Sequence, residues 1–319
     1  MFHLIQITLH GDYGDDENDY DKHKEDNKSF SKFFVCRNDV LAHTKNFISS
    51  YPQIARNQIL SKLTPNISEY YNEHLIGLTM YEKRTYRNLV KTDDLVKFEV
   101  IVKETDLLVR VDRDLSKETR ESVFKYRYQL ETHIAMNPEF QKSLVPLSDD
   151  PYAPEIVREM IRTSQLAHVG PMAAVAGAIA ESVSKDLLKF SKEVIVENGG
   201  DIYLAASKER TIGIYAGDSP LSLKIGIVIS PEETPLGVCT SSGTVGPSPS
   251  FGKADAVCIL SKSAALADAA ATAVGNVVRE KKDIELGLRV GKEIAGVQGI
   301  LIVVQEKMGV WGKIKLAQL

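Results

Sequence analysis

Two short β-rich runs, Val194-Ile195-Val196 and Ile202-Tyr203-Leu204, are joined through Asn198-Gly199-Gly200-Asp201. Asn and Gly tolerate positive φ, so this quartet turns the chain back on itself and pairs the two runs as a hairpin. Leu95 to Glu104 and Leu107 to Asp112 read as a second hairpin closed by a Thr-Asp turn, and further strands are expected at Ile212 to Ala216, Leu223 to Ile229, Pro235 to Thr240, Ala254 to Leu260, Ile300 to Val304 and Lys313 to Ala317. Helices interleave with them. One is expected from an N-cap at Ser116 to about His133, with Val123, Tyr126, Leu130 and Ile134 at helical spacing. Others run over Glu155 to Ala167, Pro171 to Phe190, Ala264 to Val278 and Asp283 to Ala295. Hairpins alternating with paired helices point to an α+β fold, an antiparallel sheet backed by helices, rather than a doubly wound parallel one.

The chain has 319 residues, 43% of them hydrophobic, enough for a sizeable core. Its formal net charge of -4, with no dominant basic cluster, excludes the electrostatic footprint of a nucleic-acid binder. The longest apolar run, Val169 to Ala180, is short of the roughly 20 residues that span a membrane, and reads as a buried helix. Cys36, Cys239 and Cys258 are odd in number, lack CxxC spacing and follow no secretory segment, which argues for a reducing cytoplasm and against structural zinc. Asp12 to Asp26 is too charged to offset chain entropy by burial. Residues 1–79 are therefore expected to form an acidic, largely disordered or weakly helical extension, and residues 80–319 the domain, with Met80 as an alternative start.

Three local patterns bear on chemistry. Cys239 stands at the mouth of Thr240-Ser241-Ser242-Gly243-Thr244, where glycine and small hydroxyl residues expose amides that can cradle an anion and lower the thiol pKa; a plain Ser/Gly connection and a buried cysteine are the structural alternative. Asp268 and Thr272 lie four apart, so on a helix they share a face and suit a hard cation such as Mg²⁺. The structural alternative there is an acid near a helix start and a threonine bonded to the preceding turn. In the turn Asn198, Gly199, Gly200, Asp201, the backbone is open to close approach and Asp201 is placed to meet a ligand, unless the quartet serves as a turn alone. His168 reads as a surface histidine, and the small residues of Gly170 to Ala178 as a helix packed tightly on the sheet, its N-terminal amides available to a phosphate.

Taken in order, Gly170-Pro171-Met172-Ala173-Ala174-Val175-Ala176-Gly177, Glu197 to Asp201, Tyr215-Ala216-Gly217-Asp218-Ser219-Pro220, Gly237 to Gly246 and Ala267-Asp268-Ala269-Ala270-Ala271-Thr272-Ala273 resemble uncharacterised protein family 0280, grouped with the ApbE-like superfamily. The resemblance covers about Met80 to Val304. It implies a T-fold type of antiparallel sheet and, from the ApbE proteins, FAD-dependent and Mg²⁺-requiring transfer of FMN to a protein threonine. By that likeness Asp268 and Thr272 match a metal-binding Asp-x-x-x-Thr helix, with a backbone carbonyl near Ala173 as third ligand. Asn198 to Asp201 is similar to the Gly-Gly-Asp turn, and Thr240 to Gly243 to a Thr-Ser-Gly segment. The chain departs from ApbE in having Gly170 and Ala176-Gly177 where those proteins carry an Asp and a Lys-Gly pair, and Phe251-Gly252-Lys253-Ala254-Asp255 in place of a His-x-x-Asp-Pro stretch.

Three functions are compatible with this reading. The leading one, implied by a link of the family with sulfide assimilation, is a cytoplasmic sulfur-handling protein in which Cys239 takes up sulfur. The second is a Mg²⁺-dependent FAD- or FMN-binding transferase related to ApbE, and the third a non-catalytic ligand-binding or assembly protein. Each expects a small anionic ligand or sulfur species as partner, in a monomer or a homo-oligomer.

Overall fold

The computed structural model describes residues 87, 94–244 and 251–319. The expectations for residues 1–79, the Met80 start and Cys36 lie outside these residues. The elements, in order, are strands β1 (Val96–Val102) and β2 (Thr105–Val111), helices α1 (Ser116–Met136), α2 (Pro138–Lys142) and α3 (Glu155–Ala167), a 3-10 turn (Pro171–Ala174) and α4 (Val175–Leu187). Strands β3 (Val194–Asn198), β4 (Asp201–Ala205), β5 (Arg210–Gly213), β6 (Ile225–Ile229), β7 (Leu236–Ser241) and β8 (Ala256–Ser261) follow. Helices α5 (Ala264–Val277) and α6 (Ile284–Glu293) then precede β9 (Val297–Val304), β10 (Lys307–Gly312) and β11 (Leu316–Gln318).

Among the described residues, eight strands form an antiparallel sheet in the order β1-β2-β3-β4-β7-β8-β9-β10, and β11-β6-β5 form a smaller one. Side chains alternate across the strands. Val109, Val196, Tyr203, Cys239, Ile259 and Ile302 face the helices, while Ile195, Leu204, Val238, Cys258, Leu301 and Val303 face the small sheet. The fold is α+β with an antiparallel sheet backed by helices, as the hairpin pattern requires. No single helix among the described residues is long and apolar enough to cross a membrane.

Several boundaries differ from those read in the sequence. The first hairpin closes over Lys103-Glu104, with Val102 opposite Thr105, because Lys103 adopts positive φ and Thr105-Asp106 already belong to the strand. Helix α1 is not capped by Ser116; Leu115 holds the cap position and the Asp114 carboxylate accepts the Ser116 amide at 2.9 Å. The stretch from Pro171 is not one helix, since its first turn is 3-10 and only Val175–Leu187 is α-helical. The C-terminal end holds two strands, β10 and β11, where one was expected.

Candidate functional site

The β3–β4 hairpin delivers Asp201. Gly199 and Gly200 have φ of 71° and 105°, a conformation open to glycine, and Asn198 pairs directly with Asp201 across the two-residue turn. Asn198 and Asp201 thus sit at the end of their strands on the face that carries the helices. The Asn198 side-chain amide donates to the Ala176 carbonyl at 3.1 Å, fastening the turn to the start of α4. Asp201 is 7% exposed, and its Oδ1 has no hydrogen-bond partner.

Asp268 comes from helix α5. The Ser263 hydroxyl caps that helix by accepting the Leu266 amide, and the buried Glu181 carboxylate accepts the Ala264 amide at 2.7 Å. Alanine dominates the helix, so it sinks between the sheet and its neighbours; Asp268 and Thr272 alone among its residues fall outside the buried set. These two form one i, i+4 stripe, as the spacing predicts. The close neighbour is α4: a side chain on Gly177 would put its Cβ 2.2 Å from the Ala264 carbonyl oxygen and 2.9 Å from Asp268 Cβ. The small residues of this stretch therefore admit helix α5 rather than serving the sheet alone. The Gly177 amide donates to Asp268 Oδ2 at 2.9 Å, so the first amides of α4 are turned to a carboxylate of the protein itself.

Burial raises both acids. For Asp201, desolvation and then the charge of Asp268 push the pKa well above the carboxylate range, against the neighbouring Cys239 thiol and the Thr240 amide; nearby Glu197 adds to the rise. Asp268 is lifted by desolvation to about 7, with the Gly177 and Ala176 amides pulling it back. Two carboxylates that both resist ionisation are stabilised by a shared proton or by a cation between them. No group of three or more His, Cys, Asp and Glu side chains suited to a metal is found among the described residues. The available set is two carboxylates, one with an unpartnered oxygen, and the Thr272 hydroxyl. It suits Mg²⁺, which is held by one or two carboxylates and completes its shell with water and phosphate oxygens.

Cys239 lies in this group but not in the form the sequence suggested. Its side chain is fully buried under α5, and its Sγ donates to the Ala264 carbonyl at 3.3 Å. Burial first, then the charges of Asp201 and Asp268, raise its pKa well above the ordinary thiol value. The expected lowering by loop amides is overturned, because the thiol points into the helix layer and faces acids. A neutral, enclosed thiol is a poor nucleophile. Cys258, on the opposite face, is pushed up to about 12 by burial.

The loop that follows splits. The Thr240 amide reaches Asp201, but its hydroxyl meets the Cys258 thiol on the other face. Ser241, Ser242 and Gly243 are partly buried and Thr244 is exposed; the Thr244 amide donates to the Ser242 hydroxyl at 3.1 Å. A side chain on Gly243 would lie 2.3 Å from the Gly252 carbonyl oxygen, so this glycine allows the two arms of the loop to meet. His168 takes the left-handed conformation at the end of α3, is half-buried, and has its pKa lowered by desolvation.

Sequence reasoning missed the residues behind the turn. Glu197 accepts the Gly200 amide on Oε1 at 3.0 Å, and its Oε2 accepts Arg87 Nε at 2.5 Å. Arg87 also donates to the Asp106 carboxylate at 2.7 Å and the Asp106 carbonyl at 2.8 Å. Although burial opposes its charge, Glu197 and Asp106 hold the Arg87 pKa above the ordinary arginine value. A glutamate inside a β-branched strand was the available signal for this arrangement.

A family model described as AbpE bacteria matches residues 87–296. A UPF0280 protein of Methanocaldococcus jannaschii is 46% identical over 224 residues, covering 68% of this chain and 91% of that protein. One from Methanosarcina acetivorans is 41% identical over 222 residues, covering 69% and 87%. Among solved structures, the flavinyl transferase ApbE of Pseudomonas stutzeri in its apo form aligns with a TM-score of 0.47 at 15% identity, over 70% of this chain and 96% of that one. The flavin transferase ApbE of Vibrio cholerae aligns with 0.46 at 13%, over 68% and 96%.

Proposed function

The chain belongs to the UPF0280 family, and from that premise and its own geometry we propose that it is a Mg²⁺-dependent flavin-nucleotide-binding protein related to the ApbE transferases. The observation that carries this reading is the buried, unpartnered Oδ1 of Asp201 beside a second raised carboxylate, Asp268. Asp201, Asp268 and the Thr272 hydroxyl would hold the cation. When bound, it would neutralise the paired acids and the charge of a nucleotide's phosphates.

The protein's own groups account for the rest. The Gly177 amide fixes Asp268, the Thr240 amide orients Asp201, and Asn198 locks the turn to α4. Ser241, at the end of β7, and Ser242 and Thr244 beyond it would supply hydroxyls suited to phosphate oxygens, while the Gly243 and Thr244 amides are taken up within the protein by the Ala254 carbonyl and the Ser242 hydroxyl. The reaction such a site would support is phosphoryl chemistry at the FAD pyrophosphate: water adds to the FMN phosphorus, the P–O–P bridge breaks, and FMN and AMP leave with release of two protons above the second phosphate pKa; with a threonine hydroxyl in place of water, FMN stays on the acceptor, AMP leaves and one proton is released. The enclosed Cys239 does not favour sulfur chemistry.

Calorimetric titration of the full chain with FAD in the presence and absence of Mg²⁺ tests the reading, with AMP release followed in the same samples. Mg²⁺-dependent FAD binding that is lost in Asp268→Ala is the expected result. FAD binding that ignores Mg²⁺ and the substitution, or no binding at all, would defeat it.

A further inference from the structure

Arg87 lies on the sheet face opposite the candidate site, yet it is linked to that site by an unbroken set of contacts. Its Nε and Nη1 grip Glu197 and Asp106, which stand on β3 and β2, and its Nη2 reaches the Asp106 carbonyl. Arg87, Asp106 and Glu197 are each at most 5% exposed. One oxygen of Glu197 is thus committed to Arg87, and the other accepts the Gly200 amide. Gly200 precedes Asp201, whose Oδ1 is buried without a partner. A forked guanidinium can hold two acidic residues on neighbouring strands at once, which a lysine ammonium cannot do with the same geometry.

We infer that Arg87 is a positioning residue for Asp201: it clamps Glu197 so that the glutamate pins the Gly-Gly turn and sets the direction in which the Asp201 carboxylate is presented to a divalent cation. This rests on the cation reading of the site given above. Glu197 is a second buried acid beside Asp201; the Arg87 pair, with the Arg110 charge also near it, offsets its charge and leaves it as a brace for the turn.

The test uses the full chain, Mn²⁺ as the probe ion read by electron paramagnetic resonance, and amide exchange of the Gly200 and Gly177 N–H groups in the metal-free protein. Arg87→Gln is expected to speed Gly200 exchange, leave Gly177 exchange as in the wild type, and weaken Mn²⁺ binding about tenfold, the scale of an outer-shell change. Arg210→Gln is the stability control, since Arg210 pairs with Asp94 and Glu193 away from the site; it is expected to lower the melting temperature while leaving both readouts unchanged. Should Arg87→Gln fail to fold, Arg87→Lys carries the same test, because it keeps the charge and loses the fork. Wild-type Gly200 exchange in the Arg87 variant, or an effect on Gly200 and Mn²⁺ matched by Arg210→Gln, overturns the inference. If the wild type takes no Mn²⁺, the cation reading fails by itself and Gly200 exchange alone decides the brace.

Discussion

The Asp268 carboxylate raises the pKa of Asp201 across the seam between the β3–β4 turn and helix α5, second only to burial itself. Folded protein therefore keeps protons on this pair at pH values where the unfolded chain, with ordinary carboxylates near pH 4, has lost them. By linkage the metal-free fold loses stability as pH rises through the raised values. His168, whose pKa burial lowers, acts in the opposite sense around its ordinary value, and it is common to the wild type and an Asp201 variant, so it cancels in their difference. Thermal melts from about pH 6 to about pH 8, spanning the value of about 7 to which Asp268 is lifted, are expected to fall as pH rises, and Asp201→Asn to flatten that slope and stabilise the metal-free protein at its alkaline end. A flat profile in the wild type contradicts the buried pair.

Cys239 is expected to resist alkylation in the native state. Its thiol is enclosed and its pKa raised, so the thiolate population at neutral pH is small. Iodoacetamide followed by peptide mass spectrometry should leave Cys239 and Cys258 unlabelled until denaturant is added. Rapid native labelling of Cys239 would restore the case for a reactive sulfur centre.

Gly177 is expected to be among the least replaceable positions. In Gly177→Ala the new methyl group would meet the Ala264 backbone and Asp268 Cβ, so α4 and α5 must separate. Overpacking of this kind costs about 1–3 kcal/mol. The melting temperature should fall by several degrees, and the hydrogen bond from the residue-177 amide to Asp268 should lengthen, weakening cation binding as well. Unchanged melting would show that the helices adjust freely there.

What could be read in the sequence was local. Asn198-Gly199-Gly200-Asp201 encodes its own hairpin through positive φ, and the i, i+4 spacing of Asp268 and Thr272 fixes a shared helical face; both hold in the structure. The state of Cys239 was not legible, because strand alternation leaves two faces open and only the placement of α5 decides which is sealed. The part played by Glu197 depends on Arg87, 110 residues away in the chain. Strand β10 was missed because Gly309 and Gly312 break its β-rich texture; at Gly309 a side chain would collide with Ile284 of α6, so packing of that helix demands the glycine.

The central claim is that Asp201 and Asp268 together bind one divalent cation. Titrating metal-free full-length protein with Mn²⁺ at about pH 8, above the value of about 7 to which Asp268 is lifted, measures it directly. The account predicts a single site in the wild type, proton release on binding, and affinity lower by more than about 100-fold in both Asp201→Asn and Asp268→Ala, beyond the range of outer-shell changes. Absence of a site in the wild type, or affinity unchanged in either variant, would contradict it.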